Sequence, residues 1–278
     1  MKKPRRPNAR SADDRGEVPF ARVLFYAATA CAFAIAARSI LISPVPIALS
    51  IGAFVAYVTL MLGGVLILKW RVYVDAIIHG PDDARGVVLT FDDGPDPKHT
   101  PKVLDVLDRA KAHATFFVIA KKAEKHPEIV RDMIARGHTV GLHAYEHDRL
   151  FSLRTPARVK ADLVKGLDVL EEITGERTLL FRPPIGHTNP IIARVVDELE
   201  LLVIGWSVSA RDGTKGKNRD VVVNRLRAGL DHGAILLMHD ASERGDFEPL
   251  GPEILPDVLA SIADEGLEVV PLASFLVS

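Results

Sequence analysis

From residue 23 to residue 68 the chain carries a single charged side chain, that of Arg38. A helix needs roughly 20 apolar residues to cross a hydrocarbon core of about 30 Å. Two such runs fit, over residues 23–43 and 47–68, and the Pro-Val-Pro of residues 44–46 separates them because proline cannot continue a regular helix. A soluble helix pair would keep a polar face. This stretch therefore predicts a transmembrane helical hairpin in the membrane lipid bilayer.

Charge divides the chain near the same place. Residues 1–84 carry ten Lys and Arg against six Asp and Glu, whereas the remainder carries twenty-five against thirty. Seven of the basic side chains lie in the first 22 residues. Basic residues that flank membrane spans stay in the cytoplasm. We expect a basic cytoplasmic arm over 1–22, two transmembrane helices over 23–68, a linker over 69–84 and a soluble domain over 85–278, in a multi-pass protein of the cell membrane.

Two other interpretations of the apolar stretch stay open. The first run could remain uninserted and leave a single anchor, or it could belong to a cleaved signal peptide, although a second apolar run fits that poorly. A hairpin places the N-terminus and the soluble domain in the cytoplasm, because Lys69 and Arg71 then join the N-terminal basic residues on one side. A single span would place the domain outside.

Composition excludes several classes of protein. The formal net charge of −1 argues against a nucleic-acid partner, since binding to phosphates requires a clear basic excess. The single cysteine, Cys31, excludes an intramolecular disulfide framework and a cysteine-cluster metal site.

The soluble part alternates short apolar or β-branched runs with amphipathic stretches, which is typical of an α/β fold with a parallel sheet, either open or closed into a barrel. The predicted strands are residues 87–91, 114–118, 139–142, 179–181, 201–206, 234–238 and 267–270. The predicted helices lie near 101–111, 127–136, 156–173, 190–199, 219–229 and 253–264.

Polar side chains follow five of these strands directly. The carboxyl ends of parallel strands lie on one face of such folds, and active sites are built there. We therefore expect one assembled site from the side chains that follow the strands, namely Asp92, Asp93, His143, His147, Arg182, Asp212 and His239.

A metal site is predicted within this set. Asp93, His143 and His147 offer one carboxylate and two imidazoles, which suit Zn²⁺ or a similar divalent first-row ion such as Co²⁺. The spacing of the two histidines lets both rings reach one ion if the segment turns helically. Asp92 is then placed to act as the general base on an attacking water.

The chain resembles the polysaccharide deacetylases of carbohydrate esterase family 4, also called the NodB-homology domain, over about residues 85–278. The family's fold is an irregular (β/α) barrel of fewer than eight strands, in agreement with the seven predicted here. Five segments carry the resemblance in the family's order: Thr90-Phe91-Asp92-Asp93-Gly94, His143-Ala144-Tyr145-Glu146-His147, Arg182-Pro183-Pro184-Ile185-Gly186, Trp206 to Asp212, and Leu237-Met238-His239.

The resemblance implies a role for each matching residue. Asp92 is the base and Arg182 orients it, Asp93, His143 and His147 hold the metal, and His239 is the general acid with Asp212 as its partner. The pocket for the acetyl group and its oxyanion is formed by the Ile185 N–H, Leu237 and Trp206. Three positions depart from the family: Ala144 replaces a Ser or Thr, Ile185 a Tyr or Phe, and Gly213 a Trp.

These roles imply a metal-dependent hydrolase that removes N-acetyl groups from an N-acetylated saccharide, such as peptidoglycan, a chitin-like polymer or a lipid-linked saccharide. An O-acetyl esterase and a glycan-binding pseudoenzyme are the alternatives within the family. A magnesium-dependent glycosyltransferase or phosphatase is disfavoured by the two histidines, because magnesium prefers oxygen ligands.

Overall fold

The structure of the protein is a computed structural model that describes residues 18–276. Of the predicted basic arm, only residues 18–22 fall within this range. Residues 1–17 of the arm and the last two residues of the predicted soluble domain lie outside it.

Two antiparallel helices precede the sheet. Helices α1 (Phe20–Leu41) and α2 (Ile47–Leu66) are both long and apolar enough, by length and composition, to cross a membrane. Phe25 of α1 stacks on Tyr57 of α2 with 5.8 Å between ring centroids. No residue of α1 is buried, and in α2 only Gly63 and Gly64 are. Most of the apolar surface of this pair therefore faces away from the domain.

Within residues 18–276, eight strands form one parallel sheet, in the order β1-β6-β5-β4-β3-β2-β8-β7. The strands are β1 (Ala76–Ile77), β2 (Val88–Asp92), β3 (Ala114–Val118), β4 (Thr139–Leu142), β5 (Leu180–Phe181), β6 (Leu202–Ile204), β7 (Val208–Ser209) and β8 (Ile235–His239). The helices that accompany the sheet are α3 (Thr100–Ala110), α4 (Ala120–Lys125), α5 (Pro127–Ala135), α6 (Pro156–Thr174), α7 (Pro190–Glu198), α8 (Arg219–Arg227) and α9 (Gly251–Asp264).

The sheet curls toward a barrel. His79, just after the edge strand β1, forms an antiparallel bridge with Ala234 at the start of β8, and the Gly80 N–H donates to the Gly233 carbonyl at 2.8 Å. These contacts connect β1 to the opposite half of the sheet. Every residue of β2 and β3 is buried, as expected of central strands covered on both faces. The predicted α/β class and barrel-like architecture are confirmed.

The observed set of strands differs from the predicted set. The predicted strand 267–270 contributes only a parallel bridge between Val269 and Val87. Strand β2 pairs with β8 along one edge from Val88 onward and with β3 along the other edge from Leu89 onward. Both of its edges are therefore occupied, and segment 267–270 pairs only with Val87, just before β2 begins. Strands β1 and β7 were not predicted, because each has two residues and shows no periodicity.

The segment 69–84, expected to be a linker, instead packs as part of the domain. It contains β1, which pairs with β6, and Val72, Val74 and Ala76 are buried. The Trp70 ring lies directly against Gly63 of α2. The apolar side chains of this segment therefore complete the core and connect it to the helix pair.

This contact between Gly63 and Trp70 is open to test by mutation. A Cβ atom at Gly63 would overlap the Trp70 ring, whereas a Cβ atom at Gly52 in the same helix would have no neighbour within 4 Å. We expect Gly63→Leu to destabilise the protein by about 1–3 kcal/mol through overpacking and to lower its melting temperature in detergent. Gly52→Leu should melt like the parent, and equal melting of the two variants would contradict the packing described.

Candidate active site

Five strand ends bring the predicted polar side chains into one cleft. Asp92 ends β2 and lies in register with His239, which ends the neighbouring strand β8. His143 directly follows β4, Arg182 directly follows β5, and Asp212 follows β7 closely. The cleft has a volume of about 480 Å³, and its lining includes Asp92, Asp93, His143, His147, Ile185, Trp206, Leu237 and His239.

Asp93, His143 and His147 bring three ligand atoms together. Oδ1 of Asp93 lies 3.7 Å from Nε2 of His143 and 3.7 Å from Nε2 of His147. All three ligand atoms lie within 4.8 Å of one another. These separations are too long for hydrogen bonds, but they suit three ligands that each lie about 2 Å from one ion.

The surroundings of these ligands also fit a divalent cation. Oδ1 of Asp93 is buried and has no hydrogen-bond partner among the described residues, although a buried charge needs one. Nδ1 of His143 donates to the Arg182 carbonyl at 2.8 Å, so its Nε2 keeps a lone pair for an ion. Burial lowers the pKa of His143, which keeps the imidazole in the neutral form that binds metals.

Asp92 is held by a buried arginine. Nη1 of Arg182 donates to Oδ1 of Asp92 at 2.7 Å, and the guanidinium has no exposure to solvent. The other Asp92 oxygen, Oδ2, lies 3.8 Å from Nε2 of His143. The two adjacent carboxylates therefore have different surroundings, since Asp92 is paired with a cation whereas Asp93 faces the two imidazoles.

His239 lies across the cleft beside Asp212. Its Nδ1 is 2.7 Å from Oδ1 of Asp212, and its backbone N–H donates to the second oxygen of the same carboxylate at 3.1 Å. Burial alone would lower the pKa of His239. The charge and hydrogen bond of Asp212, with smaller effects of Asp93 and Asp92, instead raise that pKa to about 10. The imidazole is thus protonated at neutral pH and can act as an acid.

Comparison with known proteins agrees with this geometry. A family model described as Polysaccharide deacetylase matches residues 79–204. A peptidoglycan-N-acetylglucosamine deacetylase of Bacillus cereus is 31% identical over 195 residues, which cover 70% of this chain and 70% of the relative. The chain belongs to the polysaccharide deacetylase family.

Solved structures of similar proteins share the fold. A peptidoglycan N-acetylglucosamine deacetylase solved with an N-hydroxybenzamide has 29% identity and a TM-score of 0.66, covering 72% of this chain and 91% of the other. A family 4 acetyl xylan esterase from Clostridium thermocellum, solved with a cobalt ion, has 28% identity and a TM-score of 0.62, covering 68% and 89%. Metal dependence is general in this family.

The walls of the cleft contain the three predicted pocket residues. Leu237 is buried in β8, and the Trp206 ring lies against Gly186 and 5.6 Å from the Arg182 guanidinium. Ile185 is 44% exposed and has a φ of 59°, a left-handed conformation that is costly for a β-branched side chain. Such strain is common at functional sites, where the surrounding structure maintains it.

Gly213 stands where the family usually has tryptophan, and the structure shows a close contact there. A Cβ atom at this position would lie 2.7 Å from Cε1 and Nε2 of His239. The backbone of residue 213 therefore packs directly against the imidazole of His239. Any larger residue would require this ring or the loop to move.

The segment from His143 to His147 is not helical, so the predicted reason for the convergence of the two rings is wrong. Ala144 has a φ of 66°, and this turn brings the ring centroids of the two histidines to 4.9 Å. Backbone contacts hold the segment without the family's usual hydroxyl. The N–H groups of Ala120 and Lys121, at the start of α4, donate to the carbonyls of Ala144 and Tyr145 at 3.1 and 3.0 Å.

Two further side chains near the ligands were not predicted. Oε1 of Glu243 lies 3.3 Å from Nδ1 of His147, and Arg149 binds the other Glu243 oxygen at 2.9 Å. Oε1 and Nδ1 are close but not hydrogen-bonded, so Glu243 is placed to orient the ring of His147 only through a small movement, as carboxylates behind metal-binding imidazoles do. The available sequence signal was that Glu243 follows the His239 strand end closely.

The different surroundings of the two carboxylates predict different mutant behaviour. Asp92→Asn keeps an oxygen that can accept from Arg182, so we expect it to retain the metal and to lose about 10²–10⁴-fold in turnover. Asp93→Asn and His147→Ala should lose most of the metal as well, because three protein ligands leave no redundancy. Elemental analysis of the purified variants, with melting curves as a control for folding, checks both. Equal metal content in Asp92→Asn and Asp93→Asn would contradict the assignment.

The pairing of His239 with Asp212 predicts a shift in pH dependence. Asp212→Asn removes the charge that raises the pKa of His239, whereas burial, which lowers that pKa, remains. The protonated fraction at pH 8 should fall, and with it turnover of an amide substrate by about 100-fold. Activity should recover partly as the pH falls toward 6. Profiles of kcat against pH test this, and an alkaline limb at the same pH in parent and variant would refute it.

Proposed function

We propose that this member of the polysaccharide deacetylase family is a membrane-anchored, metal-dependent hydrolase that removes acetyl groups from the nitrogen of an N-acetylated saccharide. The proposal rests on the different surroundings of the two adjacent carboxylates. Asp92 is paired with Arg182, whereas Asp93 faces two imidazoles. A base beside an ion site, opposite an acid such as His239, is the set of groups that amide hydrolysis by water requires.

A divalent cation, with zinc favoured and cobalt as an alternative, would be held by Asp93, His143 and His147. When bound, it supplies Lewis-acid polarisation of the acetyl carbonyl and a lowered pKa for the attacking water.

The residues of the chain supply the proton transfers and the orientation. Asp92 accepts the proton of the attacking water, with Arg182 fixing the carboxylate. His239 donates a proton to the departing nitrogen, which is a poor leaving group as an anion. The backbone N–H of Ile185 donates to the oxyanion, and Leu237 and Trp206 enclose the acetyl group.

Acetate release from a panel of N-acetylated saccharides, with zinc or cobalt supplied, tests the function. The panel follows the relative from Bacillus cereus, which is named for acting on the N-acetylglucosamine of peptidoglycan. We expect acetate from at least one N-acetylglucosamine compound, released about 10²–10⁴-fold more slowly by Asp92→Asn. A protein that retains its metal and releases no acetate from any of them would contradict the proposed N-deacetylase function.

A second function, hydrolysis of O-acetyl esters, is favoured by the similarity to the acetyl xylan esterase. The two functions differ in their need for an acid, because an alkoxide leaves more readily than an amide anion. We expect His239→Ala to reduce turnover of an N-acetyl substrate more than turnover of an O-acetyl ester. Equal losses on both would contradict the assignment of His239 as the acid.

The membrane anchor is proposed to be a hairpin of α1 and α2. Nη2 of Arg22, near the start of α1, donates to the Arg71 carbonyl at 2.6 Å and to Asp75 at 2.7 Å, beyond the end of α2. This contact supports a hairpin whose two ends lie on one side of the bilayer, over a single span or a cleaved signal peptide. With the basic residues on that side, the catalytic domain belongs in the cytoplasm.

Reporter fusions test this topology. A phosphatase that is active only outside the cytoplasm should be inactive when fused after Ser278. The same reporter fused after Val45, in the turn between α1 and α2, should be active. Strong activity after Ser278 would contradict the hairpin and place the catalytic domain outside.

A further inference from the structure

The end of α2 is bonded directly to a loop that lines the catalytic cleft. The N–H of Thr188 donates to the carbonyl of Val65 at 3.0 Å, and Val65 lies in the last turn of α2. Ile185 and Gly186, which line the cleft, belong to the same loop as Thr188. The point where α2 ends is therefore close to one wall of the cleft.

A second wall of the cleft rests on the residues that follow α2. Trp206 lines the cleft, and the residues on either side of it touch this segment. A Cβ atom on Gly205 would lie 3.0 Å from the Leu68 side chain, and Nζ of Lys69 donates to the Ser207 carbonyl at 3.0 Å. These contacts attach two walls of the cleft to the end of α2. When α2 spans the bilayer, both walls therefore lie next to the membrane surface.

Exposed apolar side chains lie on the same side of the domain. Leu150 and Leu153 are 61% and 77% exposed. They flank Ser152, whose carbonyl accepts a hydrogen bond from the side-chain amide of Asn189, the neighbour of Thr188. Leucines in this position are costly in water, and a bilayer surface beside the end of α2 would cover them.

Cations without acidic partners line the mouth of the cleft. Arg211 and Lys217 both belong to its lining, and neither forms an ion pair with a carboxylate in the part of the chain that the structure describes. The other two arginines near the cleft are paired, Arg182 with Asp92 and Arg149 with Glu243. Arg and Lys side chains that line a cleft and have no carboxylate partner are suited to bind phosphate groups.

We propose that the substrate is an N-acetylated sugar joined through a phosphate or diphosphate to a membrane lipid. This inference rests on the proposed function and names the substrate class of the same site. The hydrocarbon chain stays in the bilayer beside α2, Arg211 and Lys217 bind the phosphate, and the sugar enters the cleft with its acetyl group toward Asp93, His143 and His147.

Three substrates with the same N-acetyl sugar test the proposal. The full-length protein is reconstituted with zinc into phosphatidylcholine vesicles, and acetate release is measured. The substrates are N-acetylglucosamine diphosphate joined to a polyprenol in those vesicles, the soluble uridine diphosphate ester of N-acetylglucosamine, and soluble chitotetraose. We expect kcat/KM for the polyprenol compound to exceed that for chitotetraose by about ten-fold or more, the contribution of one charge-assisted hydrogen bond to the phosphate. It should also exceed kcat/KM for the uridine compound, which carries the same diphosphate, because only the polyprenol compound is anchored in the bilayer beside α2.

Variants separate the phosphate contact from the membrane contact. Arg211→Ala and Lys217→Ala should raise KM for the polyprenol compound about ten-fold more than KM for chitotetraose. Leu153→Ser should reduce the rate on the polyprenol compound more than the rate on the soluble uridine compound. Arg131→Ala and Ile134→Ser, at exposed positions of α5, are the matched controls and should behave like the parent protein.

Each other outcome overturns the proposal. Equal efficiency on chitotetraose and the polyprenol compound would refute it and leave the proposed deacetylase function standing. Equal efficiency on the uridine and polyprenol compounds would show recognition of a phosphate without the membrane, and would refute the lipid as its source. A metal-loaded protein that releases no acetate from any of the three would refute the deacetylase function for this sugar, and the inference with it.

Discussion

The guanidinium of Arg182 is fully buried, and the groups around it belong to several different strands. It donates to Thr90 and Asp92 in β2, to the Ile204 carbonyl at the end of β6, and to the next carbonyl, of Gly205, at 2.7–3.1 Å. The Phe117 ring of β3 lies 4.1 Å away. A buried charge costs several kcal/mol unless it is paired and hydrogen-bonded, and breaking such a pair costs about 3–5 kcal/mol. The strand ends are therefore held in the arrangement that satisfies Arg182.

The site depends on this arrangement because its loops are strained. Asp93, Ala144, Ile185 and Arg211 all have positive φ, which non-glycine residues adopt only when other contacts maintain it. At Asp93 that contact comes from Lys122, whose Nζ donates to the carbonyls of Asp93 and Ser242 at 2.8 and 2.6 Å. Burial lowers the pKa of Lys122, but the neighbouring carboxylates oppose this. The strained ligand loop is thus held by the half-buried side chain of Lys122.

The helix pair and the catalytic domain share one packed boundary. Trp70 packs on Gly63, Thr188 binds the carbonyl of Val65, and Arg22 binds the backbone beyond α2. These contacts lie beside the cleft rather than on the far face of the domain. Movement of α2 relative to the domain would therefore reach the wall that contains Ile185 and Trp206, which connects the attachment of the protein to the shape of its site.

The amino-acid sequence by itself determined the helix pair, most of the strands and the polar side chains that meet in the cleft. Asp92, His143, Arg182 and His239 could be predicted together because side chains at the carboxyl ends of parallel strands share a face of the sheet. The bounds of β3 and β4 could also be predicted, since each is a short run of apolar and β-branched residues between two amphipathic stretches of the chain.

Only the tertiary structure decided which groups support those residues. Strand β1 has two residues and no periodicity, so its place in the sheet depends on pairing with β6, far along the chain. Glu243 reaches His147, and Thr188 reaches Val65, across separations that no local pattern encodes. Local sequence controls which side chains follow a strand. The curl of the sheet and the docking of α2 control which distant side chains those residues meet.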